Sequence, residues 1–136
     1  MRIPARLEYA VRALLALAAA HPHTVSAHTL ADGQHIPLGY LYDVLAELRR
    51  ANLIYARRGA DGGYALAVPA ARISLGDVVR VLDAAGAAGT PVPAQVTGDD
   101  LGDRLGRIWL AAHEATNRVF DEVSLLDLAG EAPLRP

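Results

Sequence analysis

The chain has 136 residues, 52% of them hydrophobic and 21% charged, which suits one globular domain with a helical extension and excludes a disordered polymer. It contains no cysteine, so disulfides, thiolate metal centres, cysteine-held iron–sulfur clusters and thiol redox switches are excluded for these residues. Net charge is −2, and all thirteen basic residues are arginine, whose planar fork matches phosphate or guanine bidentately.

The charge is unevenly spread. Residues 1–72 carry eight arginines against five acidic residues, whereas 73–136 carry five against ten. A nucleic-acid partner would meet the first half, with the acidic half turned away. At the N-terminus Arg2, Arg6 and the apolar run 13–20 imitate a signal peptide, but Glu8 and Arg12 interrupt it. The run is also too short to span a bilayer. A buried helix of a cytoplasmic protein, with no membrane partner, is the expectation.

Leu7, Val11, Leu14, Leu15 and Ala18 recur at helical spacing and predict a first helix over 5–20, ended by His21-Pro22-His23. Ser26 is placed to cap a short second helix reaching about Gln34, with Thr29 in its first turn. His35-Ile36 makes a turn, and Pro37 suits the first position of a third helix. There Leu41, Val44, Leu45 and Leu48 form the buried stripe, while Gly39, Tyr40, Tyr42, Asp43, Ala46, Arg49 and Arg50 fall mostly outward. Two β-prone runs within 53–68 then flank the glycine-rich tip Arg58-Gly59-Ala60-Asp61-Gly62-Gly63. Two helices, a tight turn and a hairpin make a winged helix-turn-helix.

Pro69 closes the hairpin, and Ser74 caps a fourth helix over 75–83 with Asp77 completing a capping-box start. Residues 84–98 are small, proline- and glycine-rich and unpatterned, a linker. A long helix over 99–122 follows. Leu101, Leu105, Ile108, Ala112, Ala115 and Val119 give it a heptad stripe, widened by Trp109, Thr116, Phe120 and Val123. Such a stripe wants a partner surface, and a second copy of the chain supplies one most simply. Folding back on its own domain is the competing use. Ser124 caps a last short turn over 125–129. The predicted class is mainly α with a small β-hairpin wing (α+β): a winged helix-turn-helix domain over 1–83, linker 84–98, dimerisation helix and terminal helix over 99–129, and a tail over 130–136.

Arg6-Leu7-Glu8-Tyr9-Ala10-Val11-Arg12-Ala13-Leu14, Ile36-Pro37-Leu38-Gly39-Tyr40-Leu41, the leucine-rich run 45–54, Arg58-Gly59-Ala60-Asp61-Gly62-Gly63-Tyr64-Ala65-Leu66, Ile73-Ser74-Leu75-Gly76-Asp77-Val78-Val79 and Val123-Ser124-Leu125-Leu126-Asp127-Leu128 follow one another across nearly the whole chain. In this order they resemble the IscR/NsrR/CymR-type family of bacterial winged-helix transcriptional regulators, and the wing segment is the most specific of the six. The resemblance implies a homodimeric repressor that reads a pseudo-palindromic operator in double-stranded DNA. Pro37, Leu38, Gly39, Tyr40, Tyr42 and Asp43 would line the entering end of the recognition helix. Packing is an equal use for either tyrosine. Ser26, His28 and Thr29 would meet phosphate at a helix N-terminus. Arg49, Arg50 and Arg57 would meet phosphate too, and Arg58 with Gly59 would enter the minor groove.

The departures matter as much. Family members that sense iron or nitric oxide hold a cluster with three cysteines in the loop corresponding to 84–98, and none is present here. Glu8 is therefore read as a surface ion-pair member, and no cofactor is expected. Pro37, Gly39 and Tyr42 replace polar positions, so the operator of other members does not carry over. Gly33 and His35 weaken the helix pair. His21, His23 and His28 read as solvated histidines rather than a metal site, and no catalytic constellation is present, so an enzyme is not expected. Three inputs stay open: a small-molecule effector near Tyr9, Trp109 and His113, a regulatory protein, or none. An interaction module without DNA function is the alternative, against which the Arg57-Arg58 wing argues.

Overall fold

The computed structural model describes residues 3–85 and 100–130. The long first helix, α1 (Ala5–Ala20), is the element on which the others converge, with α2 (Ala27–Gln34), α3 (Leu38–Arg50), α4 (Leu75–Ala85) and α6 (Leu125–Gly130) all packing on it. Its deepest positions are Ala10, Ala13, Leu14 and Leu17. Of the stripe expected from bulk hydrophobes only Leu14 is fully buried; Leu7, Val11, Leu15 and Ala18 are half-buried around it. The central face is thus made of two alanines and two leucines, and Leu17 rather than Leu7, Val11 or Leu15 joins Leu14 at its depth.

Ser26 caps α2 as expected, its Oγ accepting the Thr29 amide at 3.2 Å. The helix ends on His35 in the left-handed region, φ 56°. Pro37 is not the first residue of α3 but precedes it, with ψ 130° and its carbonyl accepting the Leu41 amide at 3.0 Å. Ile36, buried in the core, fixes the approach, so the chain arrives extended. Leu41, Val44, Leu45 and Leu48 are the buried stripe of α3. Nothing lies within 4 Å of a Cβ built on Gly33. Gly33→Ala is therefore expected to raise stability by about 0.5–1 kcal/mol, read as a higher urea midpoint at unchanged slope.

Asn52, at φ 60°, turns the chain out of α3 into the hairpin of β1 (Ile54–Arg57) and β2 (Gly63–Leu66). The strands pair antiparallel with Ile54 opposite Leu66 and Arg57 opposite Gly63. Ile54, Ala65 and Leu66 anchor the hairpin in the core. Val25 adds a rung that the sequence did not announce: it exchanges backbone hydrogen bonds of 2.9 and 2.8 Å with Tyr64. A Cβ on Gly63 would lie 2.6 Å from the Val25 backbone, and φ there is 152°, so only glycine fits.

A 3₁₀ turn over Ala70–Arg72 leads to α4, which runs two residues past the expected end into the predicted linker; residues 86–98 of that linker lie outside the described residues. The long helix is α5 (Asp100–Asp121), and α6 ends at Gly130; the remaining tail is likewise outside the description. Two capping boxes meet here. Ser74 and Asp77 exchange bonds of 3.0 and 2.9 Å, and Ser124 and Asp127 bonds of 3.0 and 3.0 Å. The boxes are joined back to back, the Leu75 amide donating to the Val123 carbonyl at 2.7 Å and the Leu125 amide to the Ile73 carbonyl at 2.9 Å. Arg80 closes the joint by bridging Asp77 at 3.0 Å and Asp121, at the end of α5, at 2.9 Å. Gly76 leaves room for that carboxylate, since a Cβ would collide with Asp121.

Burial pushes the Asp77 carboxyl up, but the Ser74 amide, the Arg80 guanidinium and the Ser74 hydroxyl outweigh it and hold it below its ordinary value. The folded state thus binds this proton less tightly than the unfolded chain. The joint contributes stability above the unfolded pKa of about 3.9 and loses it as pH falls through the lower folded value. Asp77→Asn should accordingly melt below the wild type at about pH 6, with the gap narrowing towards about pH 3 in paired thermal scans. Among the described residues no helix is long and apolar enough to cross a membrane.

Candidate nucleic-acid interface

Burying one side of α3 leaves the other for solvent. Pro37, Gly39, Tyr40, Tyr42, Asp43, Ala46, Arg49 and Arg50 are all exposed. Tyr40 meets Tyr9 of α1 edge-on, with ring centroids 5.8 Å apart and planes at 69°, yet stays 53% exposed. That contact braces the ring and leaves much of it facing out. Leu38 is half-buried against the core, so its side chain is used for packing.

At the start of α2, Ser26 is half-buried and its hydroxyl is engaged twice, accepting the Thr29 amide and donating to the Thr29 hydroxyl at 2.9 Å. The amides of Ala27 and His28 remain at the open end of the helix, where His28 and Thr29 are exposed. Glu8 is the surface ion-pair member expected of it, accepting from Arg12 at 2.8 Å.

The wing presents its arginines differently. Arg57 and Arg58 are exposed, and among the described residues no ion pair holds either. The turn after them is made possible by Gly59 at φ 111° and closed by the Gly62 amide donating to the Gly59 carbonyl at 2.9 Å. Arg57 borders a cleft of about 370 Å³ shared with Pro22, His23, Thr24, Ala60, Asp61 and Gly62. On α3, Arg49 has no ion-pair partner among the described residues, whereas Arg50 is held by Glu47 at 2.6 Å. Sequence reasoning passed over Thr24, whose hydroxyl donates to the Asp61 carbonyl at 2.7 Å and ties the wing tip to the segment before α2. The β-branched pair Thr24-Val25 was the available signal, an extended stretch directly before a helix cap.

α5 buries no residue, although its last turn reaches α4. Leu101, Leu105, Ile108, Ala112, Ala115 and Val119 lie exposed along one face, with Trp109 beside them at 74% exposure and Phe120 half-buried towards the core side. Leu110, exposed as well, belongs to a different face and was not anticipated. Tyr9 spends its ring on Tyr40, while Trp109 and His113 stand exposed on α5, so a single chain does not enclose these three in a pocket.

The sequence profile of the Rrf2 family, described as iron-dependent transcriptional regulators, matches residues 3–131. An HTH-type transcriptional regulator of Mycobacterium tuberculosis is 39% identical over 141 aligned residues, which cover 97% of this chain and 83% of the relative. CymR of Bacillus subtilis, an HTH-type transcriptional regulator, is 30% identical over 130 residues, 95% of this chain and 90% of its own. Among solved structures, IscR of T. potens superposes with a TM-score of 0.76 at 28% identity, covering 100% of this chain and 93% of that one. B. subtilis CymR does so at 0.74 and 29% identity, covering 95% and 96%. The mainly helical body with its two-stranded wing is thus a winged-helix fold of the IscR and CymR kind.

The iron of that family description meets no cluster-binding donor set here. The chain has no thiolate, residues 84–98 contain no Cys, His, Asp or Glu, and Glu8 is committed to Arg12. Among the described residues no three metal-ligating side chains converge. These residues do not fit an iron–sulfur cluster.

Proposed function

The chain belongs to the Rrf2 family of DNA-binding transcriptional regulators, and on that premise we propose that it acts as a homodimeric repressor on a pseudo-palindromic operator, without an iron–sulfur cluster. Each subunit lays the N-terminal end of α3 in a major groove. There Tyr40 and Tyr42 reach phosphate or base edges, Asp43 accepts from cytosine, and Pro37 and Gly39 keep the helix end slim enough to approach. Leu38 supports that end from behind. His28 and Thr29 meet a phosphate at the mouth of α2, with Ser26 holding the helix start in shape. Arg49, Arg50 and Arg57 track the backbone, and Arg58 beside Gly59 enters the neighbouring minor groove.

The observation that carries this reading is the pair of exposed arginines, Arg57 and Arg58, on a glycine-closed turn, where among the described residues no carboxylate forms an ion pair with either. Dimerisation is supported by the uncovered apolar face of α5, and an effector near Trp109 would need the second copy to close over it. Sequencing the genomic fragments that the purified protein retains tests the whole proposal. An inverted repeat with half-sites about one helical turn, roughly 10 bp, apart is expected, and its promoter should fire less in transcription assays when the protein is added. Recovery of no common sequence, or of an unrepeated one, would defeat it.

A further inference from the structure

The wing meets the rest of the chain at two levels. Its root is held by the two backbone hydrogen bonds between Val25 and Tyr64 and by the buried side chains of Ile54, Ala65 and Leu66. Among the described residues its tip is held by one side-chain bond, from the Thr24 hydroxyl to the Asp61 carbonyl at 2.7 Å, between residues 37 apart in sequence. Asp61 lies in the same turn as Arg58, and the adjacent Gly62 amide closes that turn on Gly59. Among the described residues the Thr24 hydroxyl is thus the side-chain tether between the turn and the chain outside the hairpin, while the fold beneath has anchors of its own.

We infer that Thr24 is a positioning residue for DNA binding: its hydroxyl fixes the direction in which the wing presents Arg58, without touching DNA itself. The inference rests on the wing being a DNA contact. Two-stranded ribbons are marginal alone and twist readily, so an untethered tip samples many directions. Ordering it during binding would cost entropy that the Thr24 bond removes from the binding step.

Thr24→Val keeps the shape and deletes the donor, whereas Thr24→Ser keeps a hydroxyl. On a duplex from the pool selected by the wild type, Thr24→Val should bind about three- to tenfold more weakly, and Thr24→Ser within about twofold of wild type. The salt slope should not change, because no phosphate contact is removed. Adding Thr24→Val to Arg58→Ala should cost little more than Arg58→Ala alone, a non-additivity that a purely structural role would not produce. In the free protein, amide exchange at 59–62 should quicken in Thr24→Val while the melting temperature stays put. Wild-type affinity in Thr24→Val, or losses that multiply with Arg58→Ala, would overturn the inference and leave the wing contact standing. An Arg58→Ala protein that binds like wild type would remove the wing contact itself, and this inference with it.

Discussion

Replacing Arg58 by alanine is expected to weaken binding to the selected duplex by about 10- to 100-fold, at an unchanged melting temperature. Among the described residues nothing in the fold leans on this side chain: it is exposed and has no ion-pair partner there, and the turn is shaped by Gly59 and Gly62. Its worth lies in the partner's potential. A narrow A·T-rich minor groove concentrates negative potential, and a guanidinium sheds its hydration there more cheaply than an ammonium does. Arg58→Lys should therefore recover only part of the loss, although the charge is restored. The deficit should be larger on duplexes with A·T-rich sequence under the wing than on G·C-rich ones. Anisotropy titrations at one fixed salt concentration measure both effects, and full affinity in Arg58→Ala would take the wing off the DNA.

What the sequence made legible was whatever is encoded locally. Ser26 and Ser74 announce their helices because a hydroxyl two or three residues before an orphan amide satisfies it, and both do so in the structure. The stripe of α3 was readable because four large aliphatic residues at helical spacing leave no other inward face. Pairings that join distant segments through one or two residues left no such trace. The rung between Val25 and Tyr64, the bond from Thr24 to Asp61 and the meeting of the two capping boxes were each invisible for that reason. The ends of elements blurred as well. Ala84 and Ala85 are strong helix formers and carry α4 onward, and the buried Ile36 decides how the chain enters α3.

Candidate site residues divide along the same line. Exposure of Tyr40, Tyr42, Asp43 and Arg49 follows from the burial of Leu41, Val44, Leu45 and Leu48 and could be read from helical periodicity, whereas Arg57 and Arg58 are exposed because they stand where the hairpin leaves the core for its glycine-rich turn. Competing duties could not. Ser26 is occupied as a cap, Leu38 packs, and Arg50 is tied to Glu47. An arginine already paired on a helix surface gives up a modest interaction to reach phosphate, so Arg50 should contribute less to DNA affinity than Arg49, which has no ion pair among the described residues. That ordering gives the two adjacent arginines different expected weights where the sequence treated them alike.

The largest effect is expected from a residue far from the wing. Ile108→Asp should turn the protein into a monomer at micromolar concentration and lower its affinity for a pseudo-palindromic duplex by at least about 100-fold, because each half-site must then be held by an independent binding event. Ile108 is 65% exposed and stands mid-way along a stripe that runs from Leu101 to Val119. A 22-residue helix extends about 33 Å, and α5 is fastened to its own core at the far end through Arg80 and Asp121. An uncovered apolar face of that length is poorly stable in water and is satisfied when a second copy lies against it. One carboxylate at its centre would be buried without a counter-charge in the pair and free in the single chain, so the substitution acts on association and spares the domain beneath. Arg107→Asp adds the same group to the same helix, away from the stripe, and should leave both assembly and DNA binding near wild type. Sedimentation equilibrium alongside the duplex titration decides it: an Ile108→Asp protein that still sediments as a pair would place the interface elsewhere.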